Sequence, residues 1–210
     1  GVIHRYNTVV EQASMVAEVR MSGHQIGAAI GVGDTSVQRA KALVEAGVNF
    51  LCIDVAHGHH AKVRYTLQVL KNTFGVTLIA DGGIRTSGDI VKALAAGADF
   101  VMLGSLLAGT DETPGQVIHT KNGREKVYRG MASKEAQRDW RNRVSSIEGV
   151  SHTVPLKGPV ADVLDELRTG ITSGISYPGA DSVLSLQSRA TFVQQTQSGQ
   201  VESSTHIKRI

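Results

Sequence analysis

Four short apolar runs, separated by segments with helical spacing, organise the first half of the chain. Continuous apolar runs of this length are typical of parallel strands that are buried on both faces. Helices are predicted between the first two runs and between the last two, because an amphipathic pattern there ends at a glycine, Gly47 or Gly97. The runs are residues 26–32, 50–55, 78–80 and 100–103, and the predicted helices are residues 35–46 and 87–96.

The two predicted strand–helix–strand units also resemble each other. Residues 41–50 (KALVEAGVNF) are similar to residues 92–100 (KALAAGADF). Repeated units of this kind predict an α/β fold with parallel strands, and the recurring turn favours a (β/α)8 TIM barrel over an open sheet. Both helices begin with capping-box spacing, which pairs Thr35 with Gln38 and Thr86 with Asp89.

Composition excludes several classes of protein. Of the 210 residues, 41% are hydrophobic and 20% are charged, as in globular chains. No apolar run approaches the ~20 residues of a membrane span, so no membrane partner is expected. Lys and Arg number 22 against 19 Asp and Glu, a balance that does not predict nucleic-acid binding. The single cysteine, Cys52, excludes a disulfide scaffold and indicates a reducing, cytoplasmic location.

Two glycine-containing segments follow successive predicted strands and indicate a phosphate site. Asp81, Gly82 and Gly83 stand between a strand and a capped helix, and Gly104-Ser105 follows the next strand. Backbone N–H groups at a helix N-terminus bind phosphate, and barrels commonly use the loops after their last two strands. The alternative is that these glycines only make tight turns.

A third predicted strand ends in a segment with several polar side chains. Asp54 can accept from ribose hydroxyls, and His57 can stack on a base or carry a proton. His59 and His60 also suggest a metal, but adjacent histidines on one loop rarely reach one ion, so no metal is predicted. Cys52 lies inside the apolar run, which favours a buried inert thiol over a nucleophile.

The second half is more polar and less regular. We expect a hairpin at residues 121–124, a charged exposed helix or flap at 133–144, a last amphipathic helix at 159–170 ended by glycine, and an extended or partly ordered tail at 187–210. After the hairpin, the Tyr128 hydroxyl can reach a phosphate, and the backbone of Gly130 and Met131 can bind a base edge. Glu148 taken alone is most simply a surface charge.

Several of these segments together resemble one family. The runs IDVAHGH, ADGGIRTSGDIVKALAAGADFVMLGSLLAGTDETPG, YRGM and EGVSHTVPLKGPV, with GVIHR at the start, are similar to the IMP dehydrogenase/GMP reductase family. The resemblance implies a (β/α)8 barrel, a homotetramer, a purine nucleotide (GMP or IMP) as substrate, NADPH or NAD as cofactor, and a monovalent cation such as potassium.

The resemblance also implies roles for individual residues. One group would hold the nucleotide: Asp81 on the ribose hydroxyls, Gly83, Gly104, Ser105 and Tyr128 on the phosphate, and Gly130 and Met131 on the base. The others would serve the reaction: Glu148 as the catalytic group facing purine N1, with Asp54 and His57 on the dinucleotide side.

The chain departs from the family in what it lacks. The glycine-rich loop that carries the family's nucleophilic cysteine, and supplies carbonyls to the cation, is not found. Between Gly75 and Val76 two β/α units are missing, about 60 residues at about 30 per unit, and the first strand is missing before Gly1. The chain is therefore expected to hold an incomplete barrel, as a part of a longer protein or as a deletion product. We expect a catalytic barrel at 1–186 with a flap at 110–158, the tail at 187–210, and no regulatory domain between Val19 and Gln25.

The two enzymes of the family, the reductase and the dehydrogenase, differ in the flap. Residues 132–147 form a short interval without the Arg-Tyr pair that activates water in dehydrogenases. This favours the NADPH-dependent reductive deamination of GMP to IMP. One alternative is the oxidation of IMP to XMP with NAD and water, because the tail at 199–206 is similar to the tail of the dehydrogenases. Two others are a non-catalytic purine-nucleotide-binding relative and an unrelated phosphate-binding barrel such as an isomerase.

Overall fold

A computed structural model of the chain describes residues 1–55, 61–121, 123–129 and 151–202. Strands and helices alternate up to residue 102, a three-stranded sheet follows, and helices end the described part. The strands are β1 Val2–Ile3, β2 Gly27–Ile30, β3 Phe50–Asp54, β4 Thr77–Asp81, β5 Phe100–Met102, β6 Val117–Thr120, β7 Gly123–Arg129 and β8 Ser151–Pro155. The helices are α1 Val9–Met21, α2 Asp34–Glu45, α3 Ala61–Phe74, α4 Ser87–Ala95, α5 Val160–Ser176, α6 Val183–Arg189 and α7 Gln197–Glu202.

The first five strands form one parallel sheet in the order β1-β2-β3-β4-β5. The four strands predicted from apolar runs are confirmed as β2 to β5, and side chains from β2, β3 and β4 form much of the main apolar core. This sheet is open and does not close into a barrel; the sequence predicts an incomplete (β/α)8 barrel for this chain. Phe100 in the outer strand β5 is 61% exposed. β3 and β4 are adjacent, paired strands, although the sequence predicts that two β/α units are missing between them, after Gly75.

Helix boundaries follow the predictions in part. α4 has the predicted capping box between Thr86 and Asp89, and Gly47 and Gly97 follow their helices with positive φ, as expected. The capping box predicted for α2 is wrong. That helix begins at Asp34 after Gly33, whose N–H donates to the Thr66 hydroxyl of α3 at 3.1 Å. This tertiary contact sets the start of the helix one residue earlier.

The second sheet is antiparallel, in the order β6-β7-β8. The predicted hairpin is confirmed, because Thr120 pairs with Gly123 across the turn and Gly123 has a φ of 113°. The helix or flap predicted at 133–144 lies outside the described residues. An isolated parallel bridge pairs Thr110, in the segment between β5 and β6, with Gly158, three residues after β8.

One prediction for the C-terminal part needs correction. α5 does not end at Gly170 but continues to Ser176, because Gly170 and Gly174 pack against α4. In its described part the predicted tail is partly ordered, because residues 187–189 end α6 and residues 197–202 form α7, where the Thr196 hydroxyl accepts from Gly199 N–H at 3.1 Å. Among the described helices, none is long and apolar enough to cross a membrane.

Candidate functional site

The carboxyl ends of β3 and β4 place two carboxylates side by side. Asp54 and Asp81 are register partners in the parallel ladder. Arg5, just after β1, pairs with Asp54, with 3.2 Å between Nε and Oδ2. Asp81 has no such cation among its described contacts. Open α/β sheets bind ligands at this edge, beyond the carboxyl ends of the strands.

Asp81 is held in a setting that disfavours its charge. Burial, followed by the nearby charge of Asp54, raises the pKa of the Asp81 carboxyl, while a hydrogen bond from Gly82 N–H lowers it. A half-buried carboxylate with few donors gains from a ligand that supplies hydroxyl groups. This is what the pair of hydroxyls on a ribose would offer.

Cys52 of β3 lies next to the Asp81 carboxylate of β4. Its Sγ donates weakly to Asp81 Oδ2 at 3.9 Å, and the residue is buried. Burial, together with the charges of Asp81 and Asp54, raises the pKa of the Cys52 thiol to about 12. Because the thiolate is the nucleophilic form, the structure supports the inert thiol of the two alternatives.

The loop after β4 needs glycine for a close approach to β3. Gly82 has a φ of 106°, and a Cβ there would overlap the carbonyl oxygen of Val55. Gly83 follows with a φ of 75°. Gly82 thus lets the loop approach the residue that follows β3, and its N–H donates to the Asp81 carboxylate.

The N-terminus of α4 is filled by a carboxylate of the chain itself. Asp89 Oδ2 accepts from Arg85 N–H at 3.1 Å and from Thr86 N–H at 3.0 Å. An anion at this end of the sheet would therefore be held by the glycine loop ahead of the helix rather than by these amides. Binding of phosphate by Gly83 stays a prediction.

The second glycine segment lies beside the first. Met102 of β5 is the register partner of Asp81, and Gly104 and Ser105 follow two and three residues later. Both are exposed and begin a turn, in which Leu107 N–H donates to Gly104 carbonyl at 3.0 Å. The fold thus brings Asp54, Asp81, Gly83, Gly104 and Ser105 to one edge of the sheet.

The remaining predicted residues are placed differently. Tyr128 lies in β7 of the second sheet, half-buried, with its ring edge-on to His152 at 5.4 Å between centroids. His57, Gly130, Met131 and Glu148 lie outside the described residues.

Sequence reasoning missed two charged residues at this end. Arg5 could have been suspected from GVIHR, because it follows a strand. Lys126 looks like an ordinary strand lysine, yet it is only 6% exposed and its ammonium contacts the turn after Ser105. In the part of the chain that the structure describes, no group of three His, Cys, Asp or Glu residues is arranged to hold a metal.

Comparison with sequence families gives a match over most of the chain. The model for the IMP dehydrogenase / GMP reductase domain matches residues 1–77 and 68–206. The chain is 35% identical to an inosine-5′-monophosphate dehydrogenase of Aquifex aeolicus over 261 positions, covering 89% of this chain and 53% of the relative. It is also 35% identical to a GMP reductase of Leishmania major over 256 positions, covering 86% and 52%.

A solved structure shows the same relationship. A GMP reductase variant of Trypanosoma brucei in complex with guanosine 5′-monophosphate aligns with a TM-score of 0.58 and 33% identity, covering 88% of this chain and 53% of that one. The chain spans about half the length of the curated relatives it matches. Since 261 aligned positions exceed the 210 residues available, the A. aeolicus relative has residues without a counterpart here.

Proposed function

Because this chain belongs to the IMP dehydrogenase/GMP reductase family, we propose that it binds a purine nucleoside monophosphate, GMP or IMP, beyond the carboxyl ends of β3, β4 and β5. The observation that carries the proposal is Asp81, a half-buried carboxylate beside two glycine segments on neighbouring strands. The related T. brucei structure, with guanosine 5′-monophosphate bound, supports this ligand class.

Each described residue has a specific part in this proposal. The Asp81 carboxylate accepts from the ribose hydroxyls, which replace the donors that burial removes. The phosphate is held by Gly83 and Gly104 through backbone N–H groups, and by the hydroxyls of Ser105 and Tyr128. By resemblance to the family, Gly130 and Met131 contact the base, and Glu148 faces purine N1 and moves a proton there.

The dinucleotide is proposed to lie on the side of Asp54 and His57. Asp54 fits this part: its side chain is 40% exposed and Arg5 holds one oxygen, so a hydroxyl donor can reach the carboxylate from outside. A reduced nicotinamide held on the side of Asp54 and His57 would supply the hydride for reduction of the purine. The loop that binds the cation in the family is missing, so no step is assigned to potassium.

For the whole protein we propose the reductive deamination of GMP to IMP with NADPH. The short interval between Tyr128 and Glu148 supports this choice, because a reductase does not need a base to activate water. Oxidation of IMP with NAD is the alternative, since the relatives include both enzymes. The covalent step needs a cysteine that these 210 residues do not supply, because Cys52 is buried and its pKa is raised to about 12.

That buried thiol also favours a third possibility, a nucleotide-binding relative without catalysis. We also propose a catalytic barrel at 1–186 with its flap at 110–158, the tail at 187–210, a homotetramer and a cytoplasmic location. They rest on the family and on the sequence.

The binding proposal is tested by calorimetry with GMP and IMP. Asp81→Asn keeps the size of the side chain and removes its charge, so we expect affinity to fall about 10- to 100-fold, as for loss of a charged hydrogen bond. Asp181→Asn is the matched control, because Asp181 is an exposed carboxylate before α6. Unchanged affinity in a folded Asp81→Asn variant would refute the site.

The reaction is tested in the full-length protein through the absorbance of the reduced nicotinamide. Consumption of NADPH that depends on GMP supports the reductase. Formation of NADH from IMP supports the dehydrogenase instead. Tight nucleotide binding with neither reaction supports the non-catalytic relative.

A further inference from the structure

The ammonium group of Lys126 lies in a cage of backbone carbonyls. Its Nζ donates to the carbonyl oxygens of Thr110 at 2.8 Å, Asp111 at 3.1 Å and Thr113 at 2.6 Å. The residue is 6% exposed. A lysine has three N–H donors, so this cage matches its full donor capacity.

The turn that Lys126 contacts continues from Ser105 and has hydrogen bonds of its own. Leu107 N–H and Ala108 N–H donate to the carbonyls of Gly104 and Ser105, at 3.0 and 3.2 Å. The Thr110 hydroxyl then donates to the Leu107 carbonyl at 3.0 Å. An unbroken series of hydrogen bonds therefore leads from the Gly104–Ser105 segment to the cage.

The strand that carries Lys126 also carries Tyr128. Side chains two residues apart in a strand point to the same face, so Lys126 and Tyr128 share one face of β7. The turn is pressed against this strand, since a Cβ at Gly115 would overlap the Val127 carbonyl oxygen. One lysine thus connects the strand of Tyr128 to the turn that follows Ser105.

We propose that Lys126 is a positioning residue that sets the spacing between Tyr128 and the Gly104–Ser105 segment. It contacts neither ligand nor reacting atoms, and it acts by fixing where the two phosphate-holding segments stand relative to each other. The inference rests on the proposed function, because it takes these segments to bind the nucleotide phosphate. The Lys126 ammonium orders the turn from within, as a bound cation would.

Lys157 offers a matched comparison on the same part of the fold. Its Nζ donates to one carbonyl, that of Leu106, at 2.8 Å, and the residue is exposed. Loss of this ammonium leaves a carbonyl that water can reach. Loss of the Lys126 ammonium removes a donor that three carbonyls share, from a side chain that is only 6% exposed. The Thr110 carbonyl keeps the Thr113 N–H and hydroxyl as donors, so the carbonyls of Asp111 and Thr113 lose most.

The test compares Lys126→Met with Lys157→Met in the full-length protein, by calorimetry with GMP and with guanosine. For Lys126→Met we expect about tenfold weaker binding of GMP or more, and less than about twofold change for guanosine, which lacks the phosphate. For Lys157→Met we expect both affinities to stay near those of the wild type. A general loss of structure would weaken the binding of GMP and of guanosine to the same extent.

The outcomes separate this inference from the proposal beneath it. If the wild type binds GMP no more tightly than guanosine, the phosphate site is wrong and the role of Lys126 is lost with it. If the wild type distinguishes the two ligands and Lys126→Met does so equally well, only the positioning role is overturned. Equal weakening of GMP and guanosine also overturns it, because the lysine would then be purely structural.

Discussion

Asn49 and Asp99 make the same contact in the two strand–helix–strand units of the sheet. Asn49 N–H donates to the Ile26 carbonyl at 3.0 Å, and its Oδ1 accepts from Ile26 N–H at 2.9 Å. Asp99 repeats both bonds with Leu78, at 2.9 Å each. Each residue thereby fixes the start of its own strand to the neighbouring one. The similarity between residues 41–50 and 92–100 is therefore a structural repeat.

The repeat predicts unequal effects of the same substitution. Asp99 also accepts from the Lys71 ammonium at 2.7 Å, so it makes charged bonds where Asn49 makes mainly neutral ones. Asp99→Ala should lower the free energy of unfolding by about 2–3 kcal/mol, and Asn49→Ala by about 1 kcal/mol. Urea denaturation measures both, and a larger loss for Asn49→Ala would contradict the assignment.

Cys52 should be unreactive in the folded protein. With the pKa of its thiol near 12, about one molecule in ten thousand carries a thiolate at pH 8. Alkylation should therefore be far slower than for a free thiol, and should accelerate as pH rises towards 12 or on addition of urea. Rapid labelling at neutral pH in native buffer would contradict this prediction and would make Cys52 a candidate nucleophile.

Asp89 should make the free energy of unfolding depend on pH in the acidic range. Burial raises the pKa of its carboxyl, but hydrogen bonds from Lys92, Thr86 and Arg85 N–H outweigh this effect and hold it below the usual value. A carboxyl with a lowered pKa in the folded state stabilises above its unfolded pKa, and this contribution is lost as pH falls through the folded value.

Asp89→Asn is therefore expected to lower the free energy of unfolding by about 1–2 kcal/mol at neutral pH. The difference from the wild type should shrink as pH falls below 4, which a series of denaturation curves would show. Asp162→Asn, an exposed first-turn residue of α5, is the control and should have little effect. A difference that does not vary with pH would exclude this role for Asp89.

Gly174 should tolerate no side chain. A Cβ at this position would lie 2.7 Å from Val91 Cγ2 of α4, so Gly174→Ala should destabilise by about 1–3 kcal/mol. Gly88→Ala is the comparison, because a Cβ there meets only the Thr86 hydroxyl, at 3.6 Å. Helix propensity alone should then stabilise by up to about 1 kcal/mol. Thermal unfolding that gives both variants the same sign would argue against the close packing of α4 and α5.

Local signals in the sequence were sufficient where the structure is locally determined. The glycines after α2 and α4 could be predicted because the end of a helix depends on the few residues around it. The first residue of α2 could not, because Gly33 is held by Thr66, 33 positions away. Gly170 looked like the end of a helix, since its contact with Ser87 is visible only when the two helices are packed.

The same division applies to the site. The sequence predicts that Asp54 and Asp81 each end a strand, and parallel strands end at one edge. It does not predict that the two strands are adjacent, because it indicates two missing β/α units between them, and the pairing of β3 with β4 is visible only in the fold. The run GVIHR indicates that Arg5 follows a strand, but its partner Asp54 lies 49 positions away and has no local signal. Lys126 was missed because lysines in strands are usually exposed, and only the fold shows the carbonyls around it.

The open sheet described above affects how this chain behaves in solution. Among the strands that the structure describes, β1 and β5 each pair on one side only, and β5 carries the exposed ring of Phe100. Unpaired strand edges are templates for strands of other molecules. The 210-residue chain on its own is therefore prone to aggregate as its concentration rises, and a lysine in place of Phe100 would improve its solubility.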